Sequence, residues 1–118
     1  LLWSAVAARA AAQHAADMAG RRTLAHQGSD GSQGGDRLEQ AGYLWSSWGE
    51  NLGQGHRSVT TLVAHWAASP GHCANLLNPR FTELGMACAR SDGDQPFWAM
   101  TLARPAPAGP SAPAAQPR

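Results

Sequence analysis

Lysine is absent from this chain, and its nine arginines lie scattered from Arg9 to Arg118 instead of forming a stripe. With a formal net charge of only +1, attraction to nucleic acid or to an acidic membrane surface has little footing. No run of 18 apolar residues occurs, because Arg9, His14 and Asp17 interrupt the alanine-rich opening, so no transmembrane helix is expected. A starting methionine is missing, as is the basic, apolar and small-residue order of a secretory signal; the start reads as a processed or truncated end. Cysteine is scarce. Cys73 and Cys88 are too few for a zinc knuckle and are not in a CxxC spacing, which leaves a disulfide or two buried thiols. A bridge closing so short a loop would contribute about 3 kcal/mol by chain-entropy reasoning. The HExxH helix of zinc proteases and the GxSxG elbow of serine hydrolases are also missing. GSDGSQGGD fails as an EF-hand, since the twelfth position counted from Asp30 is Ala41, where a glutamate is needed.

What is present suits one domain with a modest core: 118 residues, 43% of them apolar. Residues 1 to 20 predict a helix, because alanine is the best helix former and Leu2, Val6, Ala10, His14 and Met18 recur at four-residue spacing. Ala25 to Asp36 is too rich in glycine and polar turn formers for a regular element. DRLEQAGYL predicts a short helix capped by Asp36 and ended at Gly42. WGENLGQG reads as a second glycine-rich passage whose backbone comes close to something. Ser58 caps a further helix with Val59, Leu62, Val63 and Trp66 on its buried stripe. Ser69-Pro70 stops that helix, and Pro70 starts another with Ser69 as its cap. FTELGMACA and PFWAMTLA both alternate with the period of a strand and can pair as a hairpin across Ser91 to Pro96. The last fifteen residues carry five prolines and no large apolar side chain; a flexible, partly polyproline-like tail is expected, with the fold ending near Ala103.

Four side chains combine acid–base or metal-type chemistry with unusual backbone: His26 opening the glycine loop, Glu50 in WGENLG, His72 in SPGH and Glu83 in FTELG. Spacing alone assigns them nothing. Ser29 and Ser32 read as turn residues rather than nucleophiles. His14 reads as a packed core residue, His65 as exposed, and His56 as able to approach a cleft. Most of the five tryptophans should fill the core, with Trp48 placed to wall a ligand groove beside Glu50.

LAHQGSDGS, WGENLGQG, VAHWAASPGHCANLLNPRFTELGMACA and PFWAMTLARP, in that order and at those gaps, resemble the bacterial branch of the CAP superfamily, the cysteine-rich secretory, antigen 5 and pathogenesis-related proteins. The resemblance covers about Leu2 to Arg104. It implies an α+β fold, a three-layer α-β-α sandwich lacking its first helix, over residues 1–104, followed by a Pro/Ala-rich tail over 105–118. It also implies a secreted or periplasmic protein with a cleft of two histidines and two acids. His26, Glu50 and His72 match that cleft. The second acid of many members follows the helix tryptophan by three residues, where this chain has Ser69, and Glu83 is the candidate replacement. Such a set could hold zinc or another divalent cation. The secreted reading favours a Cys73–Cys88 disulfide. The missing helix would leave an apolar patch exposed, which argues for a longer precursor.

The functional expectation is a monomeric binding or interaction module for a small hydrophobic ligand, lipid or sterol, or for an extracellular partner. A metal-dependent hydrolase using His26, Glu50 and His72 is the alternative.

Overall fold

The computed structural model describes residues 1–108. The elements run β1 (Leu2–Trp3), α1 (Ala5–Arg21), α2 (Gly34–Gln40), β2 (Trp45–Gln54), α3 (Val59–Ala68), α4 (Pro70–Leu77), β3 (Glu83–Arg90) and β4 (Pro96–Pro105). The strands form one sheet in the order β1-β3-β4-β2, with β1 parallel to β3 and the other pairs antiparallel.

Alternation along β4 builds the two faces of the sheet. Phe97, Ala99 and Ala103 point to the α1–α2 side, where Ala7, Ala11, Ala15, Met18 and Leu38 pack. Trp98, Met100 and Leu102 point to the α3–α4 side, against Leu62, Trp66, Phe81 and Leu76. The result is the expected α-β-α sandwich. Alanine dominates the buried face of α1 because that helix lies almost on the strands: a Cβ at Gly85 of β3 would collide with the backbone of Ala7 and Ala8.

The first helix starts later than its pattern predicts. Ser4 is the N-cap, its hydroxyl accepting from the amide of Ala7 at 3.0 Å, and Leu2–Trp3 instead form β1, where the Leu2 amide donates to Thr82 O. In α2 the cap is Gln33, and Asp36 sits inside the first turn with its carboxylate accepting from the Gln33 amide at 2.9 Å. The Ser58 cap, the break at Ser69-Pro70 and the β3–β4 hairpin stand as the sequence predicts.

WGENLGQG is the larger surprise. It is the core of β2, paired with β4 from Trp45↔Pro105 to Gln54↔Phe97. Its glycines answer the question of close approach: a Cβ at Gly49 would strike the Phe81 ring and one at Gly53 the Leu62 side chain. Strand β4 continues past Ala103 to Pro105, and the part of the expected tail from residue 109 onward lies outside the described residues.

The expected Cys73–Cys88 disulfide is not formed, and both thiols are free. Cys73 rides on α4, which packs on α3 and β2, whereas Cys88 is exposed on β3. Strand β4 lies between β3 and β2, so the helix that carries Cys73 packs on a strand that is not the neighbour of the one that carries Cys88. A bridge needs Cα atoms within about 7 Å.

Candidate functional site at the free edge of strand β2

Strand β2 is an edge strand, and the pairing decides which of its groups face outward. Gly55 donates to Pro96 O, so odd-numbered residues exchange hydrogen bonds with β4 and even-numbered ones turn their amides and carbonyls to the open edge. Two of those carbonyls are covered by the second helical layer. Trp66 Nε1 donates to Leu52 O at 2.8 Å, and Asn75 Nδ2 donates to Glu50 O at 3.3 Å. Asn75 also donates to Asn51 Oδ1 at 2.9 Å, and Asn51 donates to His72 O at 3.2 Å. These contacts blunt the edge against further strand pairing and hold α4 so that His72 reaches a cavity beside β2.

That cavity, of about 490 Å³, is lined by His26, His56, His65 and His72 together with Leu24, Leu52 and Gln54 among others. Its size is in the range of small-molecule sites. Of the residues singled out from sequence, His26 and His72 meet here, and His56 does approach the cleft. His65 is exposed, as its phase on α3 predicts, but the surface it occupies is the cavity wall.

Glu50 lies directly behind His26. His26 Nδ1–H donates to Glu50 Oε1 at 2.9 Å, and Arg37 Nη2 donates to Glu50 Oε2 at 2.8 Å. The Glu50 and Arg37 side chains are each only 2% exposed. Burial works to raise the Glu50 pKa, but the hydrogen bond from His26 and the Arg37 charge outweigh it and hold the carboxyl below its usual value. In return, the hydrogen bond to Glu50 raises the His26 pKa against the opposing effect of burial.

Arg37 went unnoticed in the sequence, where one arginine in a short polar helix looks solvated. It donates to Ser32 O, Ser32 Oγ and His26 O as well as to Glu50, and so ties the glycine loop to β2. The available signal was weak: Arg37 adjoins Leu38, and both fall on the buried side of α2.

Glu83 does not join the cleft. It sits on β3, two strands from β2, and accepts a hydrogen bond of 2.9 Å from the Tyr43 hydroxyl; burial, helped by this carboxylate, raises the Tyr43 pKa. Trp48 does not wall a groove either, because its indole fills the space above Gly34 and Gly35. Of the set His26, Glu50, His72 and Glu83, the structure brings His26 and His72 to one cavity, with Glu50 behind His26 and Glu83 elsewhere. Among the described residues, no three histidine, cysteine, aspartate or glutamate side chains stand grouped to hold a metal ion.

His14 is fully buried, as expected of a core residue. Its Nε2–H donates to Ala25 O at 2.7 Å, which anchors the segment leading to His26, while Nδ1 has no partner. Burial pushes its pKa down, with Arg37 adding to the effect and Glu50 opposing it. Ser29 is bound through its hydroxyl to Asp17 at 2.6 Å, and Ser32 accepts from Arg37; both serve the loop.

Known proteins agree with this architecture. The chain is 32% identical over 75 residues to the uncharacterized protein YkwD of Bacillus subtilis, a match covering 64% of this chain and 29% of that protein. It superimposes with a TM-score of 0.78 and 30% identity on an extracellular protein containing an SCP domain from Bacillus anthracis, covering 88% of this chain and 33% of that one. Both of those proteins are about three times as long as the region matched. An outer surface protein of Borrelia burgdorferi shares the fold at a TM-score of 0.82 and 18% identity, with 90% of this chain and 78% of that one covered. Residues 1–102 match the cysteine-rich secretory protein family, CAP, and the chain belongs to that family.

Proposed function

We propose that the chain is an extracellular binding module whose cleft takes a small ligand between imidazole and apolar walls, and that it is not a hydrolase. The observation that carries this reading is the burial of Glu50 behind His26. A general base must reach the proton it removes, and the Glu50 side chain is 2% exposed, does not line the cavity, and has one oxygen accepting from His26 and the other from Arg37. The same burial keeps Glu50 from a metal ion placed in the cavity. Leu24 and Leu52 supply a short apolar wall, suited to one end of a lipid- or sterol-like molecule or to a smaller compound. The extracellular setting is carried over from the relatives, one described as extracellular and another as an outer surface protein; no helix among the described residues is long and apolar enough to cross a membrane.

The test has two arms. Thermal shift with a library of small polar and apolar compounds, a sterol and a fatty acid should give hits that Leu52→Gln weakens. A panel of peptide, ester and glycan substrates should show no turnover. Turnover abolished in a folded Glu50→Gln variant would overturn the proposal in favour of the hydrolase.

A further inference from the structure

Four of the five histidines in the chain line a single cavity beside β2. They arrive from separate places: His26 from the segment after α1, His56 from the turn after β2, His65 from α3 and His72 from α4. The His65 ring has a centroid 5.0 Å from that of His56 and 6.3 Å from that of His72. Trp98 Nε1 holds the His56 carbonyl at 2.7 Å, and Ser69 Oγ shares a hydrogen bond of 3.0 Å with His72 Nδ1. The rings are thus held close by their supports and not by bonds to one another.

Among the described residues no carboxylate lines the cavity; the other polar side chains there are Gln54 and Gln95. The acids of the surrounding elements already have arginine partners. Glu50 of β2 pairs with Arg37 of α2, and Asp17 of α1 with Arg21. In the β3–β4 turn, Asp92 pairs with Arg22, and Asp94 with both Arg90 and Arg57, the neighbour of His56. The cavity wall therefore offers imidazole rings with no acid among them to offset positive charge. Burial already depresses the His72 pKa, and the nearby His65 and His26 rings act in the same direction. Such mutual repulsion is what a bound anion relieves.

We propose that His56, His65 and His72 form an oxyanion site, receiving a sulfate, phosphate or carboxylate group and binding it more tightly as the medium becomes acidic. It rests on the reading of this cleft as a binding site, but not on the His26–Glu50 pair. Leu24 and Leu52 are placed to accept an apolar body attached to the acidic group.

Sulfate is the best probe, because its own charge does not change between about pH 5.5 and 7.5, the range that brackets an ordinary histidine. Calorimetric titration should show at least about tenfold tighter sulfate binding at the lower pH if one imidazole must be protonated, since an ordinary histidine titrates near 6.5. His56→Gln and His65→Gln, both at positions with solvent access, keep a polar side chain but carry no imidazole; each should reduce that pH effect, and together they should reduce it more than either alone. Hexyl sulfate binding more tightly than sulfate would identify the acidic group of a larger ligand, and equal binding a free anion. Equal sulfate affinity at the two pH values, or a pH effect unchanged in the folded double variant, would overturn the proposal. So would saturable zinc binding lost in that variant without any sulfate binding. If sulfate fails while a neutral compound still stabilises the protein through Leu52, the oxyanion site falls and the binding module stands. If neither binds, both readings fall.

Discussion

Arg37 Nη2 meets Glu50 Oε2 at 2.8 Å, with each side chain only 2% exposed. This ion pair supports the cleft from behind: Glu50 orients His26, and Arg37 ties the glycine loop to β2. A buried pair of this kind is costly to break from one side, because the survivor is left as an unpaired charge in a poorly solvating environment.

Arg37→Met and Glu50→Leu should each destabilise the fold, Arg37→Met by about 3–5 kcal/mol. Combining Arg37→Met with Glu50→Leu should recover much of that loss, as replacement of a buried pair by apolar residues of similar volume commonly does. Urea unfolding of the variants forms a double-mutant cycle; strictly additive losses would show that the two charges are not coupled.

Gly85→Ala should be among the most damaging single-methyl additions in the chain. The new Cβ would run into the backbone of Ala7 and Ala8, where no flexible side chain can yield. Overpacking typically costs about 1–3 kcal/mol, and this site belongs at or beyond the upper end. Gly20→Ala, with nothing within 4 Å of the added carbon, is the matched control. A similar melting temperature for the two variants would contradict the close packing of α1 on β3.

Stability should fall on both sides of a neutral maximum, for opposite reasons. The hydrogen bond to Glu50 raises the folded-state pKa of His26, so its contribution is complete below the unfolded value near 6.5 and fades as pH rises through the higher folded value. Burial lowers the pKa of His14, so its contribution is complete above about 6.5 and fades as pH falls through the lower folded value. His26→Gln should therefore lose most against wild type at about pH 6 and progressively less towards about pH 9. A constant gap in the urea midpoint over that range would mean that His26 and Glu50 are not linked.

Both cysteines should react in the native protein. Mass spectrometry after iodoacetamide treatment without reductant should show two carbamidomethyl groups. Cys88→Ser should change stability by less than about 0.5 kcal/mol, as for other surface substitutions, whereas loss of a native bridge typically costs about 2–5 kcal/mol. A native mass two daltons below that of the reduced chain would restore the disulfide.

Local chemistry was legible in the sequence wherever one segment carried its own instructions. The Ser58 cap and the Leu62–Trp66 stripe specify α3, Ser69-Pro70 ends one helix and begins the next, and strict alternation specifies β3 and β4. The motif words around His26, Glu50 and His72 pointed to the sandwich and to the cleft that holds these residues. Strand β2 was hidden because its glycines and polar residues look like a loop; they are tolerated only because β4 supplies its hydrogen bonds and Phe81 and Leu62 press on Gly49 and Gly53. The neutralisation of Glu50 by Arg37, the attachment of Glu83 to Tyr43, the separation of Cys73 from Cys88 and the gathering of four histidines beside one strand edge were decided by tertiary structure alone. Each depends on distances between elements far apart in the chain, and such distances are set by strand order and helix packing, which no single segment encodes.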